Sequence, residues 1–411
     1  MRIKKANTRV ATISVVVFFC IAILCTHAFS QNIRIGSLEI RPSFHEAIEF
    51  DDNILQTSGK GTQVGGEEKT SDIKNIFTPG LELMLPFGKG HLPCTGANAK
   101  QAKRHNLYLG WHTDFENYRD NAKENQQNSY FTTSSESKYP SGLRIALNNR
   151  YVDTVSPAAS ETDRLHDRKT NTGSVIIGLP HYFRRFDMEF KYQNFDQDYD
   201  ERDLRRANRN ENRFTLKIPF KFMPKIILFP EYTYGFTKYD RDVQSNSHFN
   251  EIFAGVELRA TAKTTGTIKL GFKSVDYNRS TTADVKTFVA SVGVQIDLTK
   301  RTILDLNLSR DSQESEFTAG SNAFVENSAN LGITHRITRQ LTGTLSGNYS
   351  KSVFKDSSKT NEIYGLAVSA RYDFKKWFFA DVNYSHRDKR SSFEAESNRI
   401  NLASFGIGVD F

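Results

Sequence analysis

After its first thirty residues this chain of 411 has no long apolar run, and its mean hydropathy is −0.53 with 25% charged residues. That excludes a bundle of membrane-crossing helices, each of which would need about twenty apolar residues in a row. Cysteine is scarce. Cys20 and Cys25 sit in the N-terminal thirty residues and Cys94 stands alone after them, so no disulfide can form within the remainder. A secreted soluble protein of this size would often carry disulfides. The H-x-x-x-H pair of a zinc helix is missing, and Cys94 is isolated. Gly343-Thr344-Leu345-Ser346-Gly347 is no nucleophile elbow, because its serine is displaced from the centre. Beyond residue 30 there is no linker, no shift in composition and no useful segment of helical period.

The N-terminus reads as a secretory signal. Arg2, Lys4, Lys5 and Arg9 precede an apolar core from Val10 to Cys25, and Ala28-Phe29-Ser30 follows. Cleavage is expected after Ser30, leaving Gln31 first and 31–411 as the mature domain. A signal anchor fits less well because the apolar core is short, and a lipoprotein because Leu24 precedes Cys25. Losing 1–30 removes four basic and no acidic residues, so the formal charge falls from +8 to +4. The basic balance is partly a property of the signal, and nucleic acid is not an expected partner.

What fills the rest is alternation. In the last stretch, Ala403, Phe405, Ile407, Val409 and Phe411 share one face, and Ser404, Gly406, Gly408 and Asp410 the other. Period two means a strand with one apolar and one polar face. Phe186 to Tyr192, Phe214 to Phe222, Ala290 to Leu298, Tyr364 to Tyr372 and Phe378 to Tyr384 repeat the pattern. They belong to a series of amphipathic strands about ten residues or longer, near the length a tilted strand needs to cross a bilayer.

The connections alternate too. Tight ones occur at Tyr139 to Gly142, Pro180 to Arg184, Met223-Pro224, Ala262 to Thr264, Thr299-Lys300, Thr338-Arg339 and Lys375-Lys376. Longer polar ones lie between them, such as Asp153 to Asn171, Gln197 to Asn210 and Asp311 to Asn322. Aromatics gather beside the tight turns (Phe183, Phe220, Phe222, Phe374, Trp377, Phe378), as an interfacial girdle would. The expected fold is all-β: a transmembrane antiparallel β-barrel with short periplasmic turns and longer extracellular loops. Counting gives 18 strands, or 16 if Ile35 to Phe50 and Ile76 to Pro86 stay outside the wall. Gly88 to Arg104 reads as a longer connection that breaks the short-turn rule. A soluble β-helix or pair of sandwiches is the competing fold, but it has no reason to alternate its connections so regularly.

Gly36 and Pro42 in a first strand, the turn Asp51-Asp52-Asn53, the repeated hairpins and the terminal Phe411 together resemble the putative β-barrel porin 2 family of outer-membrane proteins. That resemblance implies an outer-membrane porin, placed by analogy with members in exopolysaccharide export loci. Its implied partners are outer-membrane lipid and lipopolysaccharide, the barrel-assembly machinery reading Phe411, and an exported polysaccharide or its export complex. No cofactor or metal is implied.

The face opposite the apolar one carries charges of both signs. Expected to line the lumen are Arg144, Arg150, Arg185, Asp187, Glu189, Lys191, Lys217, Glu257, Arg259, Lys269, Asp297, Arg301, Asp305, Arg371, Asp373 and Asp381. A packed apolar core could not bury so many charges, whereas a water-filled lumen holds them and uses them to tune selectivity. The same charges could instead pair into a network that only stiffens a non-conducting wall. Arg202, Arg205, Arg206, Arg209 and Arg213 form a basic loop cluster that could fold inward or bind anionic groups, or simply stay solvated.

Two weaker patterns compete with the pore. Asp196, Asp198 and Asp200 have calcium-loop spacing, but Glu201 and Ala207 stand where glycine and glutamate are needed. A rim hydrolase would draw on Asp163, His166 and Asp167, or on His386 and Asp388. No enzyme is the expectation. An adhesive or structural barrel that binds partners through its loops is the remaining alternative.

Overall fold

The computed structural model describes residues 33–56, 69–92, 102–156, 165–183, 185–202, 204–241, 245–261, 263–279, 283–315, 323–355, 357–393 and 396–411. The expected signal segment, Cys94 and Asp163 lie outside the described residues. The chain forms β1 (Ile33–Ile35), β2 (Leu38–Asp51), β3 (Asp72–Leu92), β4 (Ala102–Tyr118), β5 (Gln126–Lys138), β6 (Arg144–Ser156) and β7 (His166–Phe183). Then come β8 (Phe186–Tyr199), β9 (Arg209–Lys217), β10 (Phe220–Met223), β11 (Ile226–Tyr239), β12 (Ser247–Thr261), β13 (Thr264–Tyr277) and β14 (Val285–Thr299). The last six are β15 (Thr302–Glu314), β16 (Ala323–Arg336), β17 (Leu341–Phe354), β18 (Thr360–Asp373), β19 (Phe378–Ser391) and β20 (Asn398–Asp410).

Successive strands pair antiparallel, and β2 pairs β3 on one edge and β20 on the other, which closes a barrel. Closure leaves no open sheet edge, as the hydrocarbon of a bilayer requires. β1 is a short flap on β2, and β9 and β10 together occupy one position between β8 and β11. The wall therefore has eighteen strands. Both early segments join it, because β2 is the strand that meets the C-terminal one.

Three readings need correction. Gly36 lies in the β1–β2 turn with φ +64°, a conformation costly for any residue with a Cβ, and not within a strand. Phe214 to Phe222 is interrupted, because Pro219 has no N–H for the ladder; its carbonyl accepts from the Asp187 N–H instead. Gly88 to Leu92 and Ala102 to Arg104 are strand and not loop, since β3 and β4 run past the tight-turn side with Leu92 paired to Ala102, while Cys94 and its neighbours lie outside the described residues. Backbone pairing there continues without the side-chain alternation that identifies strands in a sequence.

Each connection joins strand ends held by the ladder, and the two sides differ as expected: two residues at 224–225 and 300–301, against seven at 240–246 and nine at 200–208. The girdle packs ring on ring at the tight-turn side, with Phe186 on Phe220 at 4.8 Å and Phe374 on Phe378 at 5.2 Å. On the opposite rim, Asp52 accepts from the backbone and side-chain nitrogens of Asn401 at 2.7 and 2.6 Å, tying β2 to β20.

Phe411 completes the seam at the tight-turn side. Its N–H donates to Pro42 O, and its ring lies 6.0 Å from that of Trp377 and 9° from parallel. Deleting Phe411 is expected to lower the assembled barrel severalfold with synthesis unchanged, read as loss of the heat-modifiable folded band in outer-membrane fractions. An undiminished folded band would contradict this.

Candidate functional site: the barrel interior

Side chains alternate between the two faces of each strand, so one set of exposed residues places the rest. Ile252, Leu270, Phe272 and Phe405 are 60, 52, 71 and 55% exposed and mark the outer face, where lipid covers them. The residues between them point inward. By this register Arg144, Arg150, Asp187, Glu189, Lys191, Lys217, Glu257, Arg259, Lys269, Asp297, Asp305, Arg371, Asp373 and Asp381 all face the interior. Arg185 and Arg301 do not sit on the wall: both are in tight turns at the barrel mouth, where alternation no longer fixes a direction.

Most of the interior charges lie along the wall in pairs. Lys217 Nζ is 2.5 Å from Glu257 and Lys269 Nζ is 2.9 Å from Glu231. Arg144 bridges Glu136 at 2.8 Å and Glu189 at 3.5 Å, and Lys221 reaches Asp187 at 3.1 Å. Arg371 binds Asp373 and Asp410 at 2.9 and 3.1 Å, and Asp381 pairs with His45 at 2.8 Å.

Aromatic rings hold the lysines down. Lys217 Nζ lies 4.0 Å from the centre of the Phe229 ring, and Lys269 Nζ 4.6 Å from that of Phe253. Each ring lies across the glycine paired with it on the next strand, Gly255 for Phe229 and Gly271 for Phe253. A Cβ at Gly255 would come within 2.3 Å of the ring. An ammonium over a ring face gains attraction from the quadrupole while its stem covers apolar surface. These pairs thus run along the wall.

These inward rings went unnoticed in the sequence because they break the rule that apolar residues face out. The cross-strand glycines were the available signal, but using it requires the register. Glu136, Glu231 and His45 were missed for the same reason: their worth lies in a partner on another strand.

The arginine run divides. Arg202, Arg205 and Arg206 are exposed in the β8–β9 loop, while Arg209 and Arg213 sit on the inner face of β9. Arg213 pairs with Glu211 and lies 5.3 Å from the Phe249 ring, and Arg209 lies 5.4 Å from that of Phe195.

Near the long-loop end Lys74 is 9% exposed, 2.6 Å from Glu116 and 3.1 Å from Glu49. Glu116 also accepts from Gln126 and Asn128 at 3.0 and 2.8 Å. A cavity of ≈ 460 Å³ adjoins them, lined among others by Asp51, Arg387, Ile54 and Leu402.

Among the described residues the members of the rival sites are held by separate partners. Asp196 accepts from Asn210, Asp198 from Asn208 and Asp200 from Lys169, so the three carboxylates serve separate partners. Among the described residues no three metal-ligating side chains are grouped to hold an ion. His166 meets Glu201 at 3.2 Å, His386 meets Asn401 at 2.7 Å, and Asp388 is bound by Arg390 and Arg399.

A closed antiparallel barrel with an apolar outside and a charged inside is an outer-membrane β-barrel of the porin kind. The chain belongs to the putative β-barrel porin 2 family, whose model matches residues 99–411. The match begins after Gly36, Pro42 and Asp51-Asp52-Asn53, so those residues do not carry it. Among solved structures, OccAB4 of Acinetobacter baumannii is similar at 12% identity, over 93% of this chain and 99% of that one, with a TM-score of 0.44. A BenF-like porin from Pseudomonas fluorescens Pf-5 is similar at 10% identity, over 92% and 100%, with a TM-score of 0.46. OpdK of Pseudomonas aeruginosa is similar at 9% identity, over 90% and 98%, with a TM-score of 0.44. No curated protein matches the chain. The barrel resides in the outer membrane.

Proposed function

We propose that the barrel gives hydrophilic solutes passive passage through its charged lumen, with a mild preference for anions and for acidic polymers such as an exported polysaccharide. The observation that carries this reading is the wall-hugging arrangement of Lys217, Lys269, Glu231 and Glu257, which pair with one another along the inner face. Barrels of sixteen to eighteen strands are wide enough for an aqueous channel. Arg150 and Arg259 stay exposed on the inner face, which supports the anion preference. Passage of this kind needs no cofactor and no chemical step. Lipopolysaccharide at the long-loop rim, the assembly machinery at Phe411 and a polysaccharide export complex are the partners this reading implies.

The test is single-channel conductance of refolded protein in a planar bilayer, with and without an acidic polysaccharide. Stable conductance with anion preference, blocked by the polymer, is the expected result. Arg150→Glu with Arg259→Glu should move the reversal potential toward cations in a salt gradient. A barrel that inserts yet never conducts would sink the pore and favour a structural or adhesive role for the loops.

A further inference from the structure

The outer face of the barrel is not uniform near its long-loop end. Leu308, Leu331, Leu345, Leu366, Val382 and Phe405 are exposed and mark the lipid-facing positions of β15 to β20. By the same parity Arg310, Asn327, Lys351, Glu362, Arg390 and Arg399 also face outward, each displaced from them toward the long loops. Register sets these residues side by side. Arg310 pairs with Asn327, Asn327 with Lys351, Lys351 with Glu362, and Glu362 with Arg390. Asp388, the next outward position below Arg390, pairs with Arg399. Strand spacing makes the row from β15 to β19 about 19 Å long.

Its height is that of lipid headgroups. Directly beneath Lys351 and Glu362 the rings of Tyr349 and Tyr364 lie 5.0 Å apart, and Tyr364 Oη donates up to Glu362 at 2.9 Å. On the next strand Tyr384 Oη donates to Asn401 at 3.0 Å. Tyrosines with the ring in hydrocarbon and the hydroxyl among polar partners mark the edge of a membrane. At this level the four cations Arg310, Lys351, Arg390 and Arg399 meet the two carboxylates Glu362 and Asp388. Lys351 reaches Glu362 at 2.8 Å, while Arg390 and Arg399 share Asp388 at 3.0 and 3.5 Å. Arg310 donates to neutral oxygens, Asn327 Oδ1 at 2.7 Å and Phe288 O at 3.2 Å. The Arg390 and Arg399 side chains are 66 and 59% exposed, so their donors are open to a ligand. Across the barrel the balance is reversed: on the outer face of β6 to β8, Asp153, Asp167, Asp196 and Asp198 lie around Lys169.

We propose that the outward row on β15 to β20 is a docking site for the phosphate groups of lipopolysaccharide in the outer leaflet. Lys351 and Arg390 are its central contacts, with Arg310 and Arg399 at its ends. Guanidinium forks and an ammonium suit phosphate oxygens, and the row holds them at the depth where a lipid carries its phosphates. The site gives the lipopolysaccharide partner a place on one side of the wall. It rests on the barrel's position in the outer membrane and not on conduction through the lumen.

The test titrates refolded protein in detergent micelles with lipid A, its phosphates either present or removed. The phosphorylated form should bind at least about tenfold more tightly. Each cation beside an anionic lipid is worth about fivefold in affinity, so Lys351→Gln with Arg390→Gln should weaken binding tenfold or more. Lys238→Gln removes the same charge from the outer face of β11 and should change nothing. Glu362→Gln frees both neighbouring cations and should tighten binding severalfold, which a role confined to holding strands together would not produce. Should the double variant fail to give a heat-modifiable folded band, Glu362→Gln and the two forms of lipid A carry the test. Equal binding of the two forms would overturn the site, and so would an unchanged affinity in the folded double variant. Weakening by Arg205→Gln with Arg206→Gln instead would move the phosphate to the β8–β9 loop and overturn the row. Inorganic phosphate binding as tightly as lipid A would overturn the assignment to a lipid.

Discussion

Lys74→Met is expected to destabilise the barrel by about 3–5 kcal/mol, the usual consequence of leaving a buried charge without its partner. Lys74 reaches Glu116 at 2.6 Å and Glu49 at 3.1 Å, and both carboxylates are mostly covered. Methionine fills much of the same volume, so the loss would be electrostatic. Glu116 would keep Gln126 and Asn128, but two amide donors do not neutralise a carboxylate. The measurement is a urea titration of refolded protein in detergent micelles, followed by the folded band. Adding Glu49→Gln and Glu116→Gln should recover most of the loss, since no uncompensated charge then remains. A Lys74→Met barrel within about 1 kcal/mol of the parent would contradict the account.

Gly408→Val should nearly abolish assembled barrel. A Cβ at Gly408 would lie 2.2 Å from the Phe379 ring, and one at Gly406 2.4 Å from His45 Nε2. These two glycines let side chains from both sides lie flat over β20 where the barrel closes. His45 on β2 reaches across to Asp381 on β19 at 2.8 Å, and its ring stacks on Phe379 at 5.8 Å. The Arg371 guanidinium covers the same ring at 3.4 Å. Overpacking alone costs roughly 1–3 kcal/mol, and here it also displaces the ring on which His45 stacks and over which Arg371 lies. Heat-modifiable mobility in membrane fractions is the readout. Gly408→Val with Phe379→Ala should restore much of the folded band, because the clash is with that ring. Ile407→Val, on the lipid face beside it, should change little. A normal folded band for Gly408→Val would show that the seam tolerates displacement of Phe379.

Much of the wall was legible because its cause is local. Ala403 to Phe411 shows its two faces by period alone, and the same holds for Phe186 to Tyr192 and Tyr364 to Tyr372. Inward placement of Asp187, Glu189, Lys191 and Lys217 follows from the same parity. Pro219 and Gly36 were harder: each was absorbed into a strand that its neighbours made plausible, while the missing N–H and the positive φ acted against them. Gly406 and Gly408 were correctly put on the polar face, but nothing nearby in sequence announces the rings of Phe379 and His45 that need the space.

By itself the sequence determined the class of fold, the length and facing of most strands, the side bearing the long loops and the sign pattern of the interior. Those properties depend on neighbours two residues apart and on whether water, lipid or a turn meets the backbone. Only the tertiary structure decided which charges pair, how β2 and β20 close the wall, and that Asp311, Ser312 and Glu314 meet β12 and β13. Lys217 finds Glu257 forty residues away, and Lys273 finds Ser312 on β15, a strand that does not pair with its own. Such partners are set by register and barrel curvature, which no local pattern records.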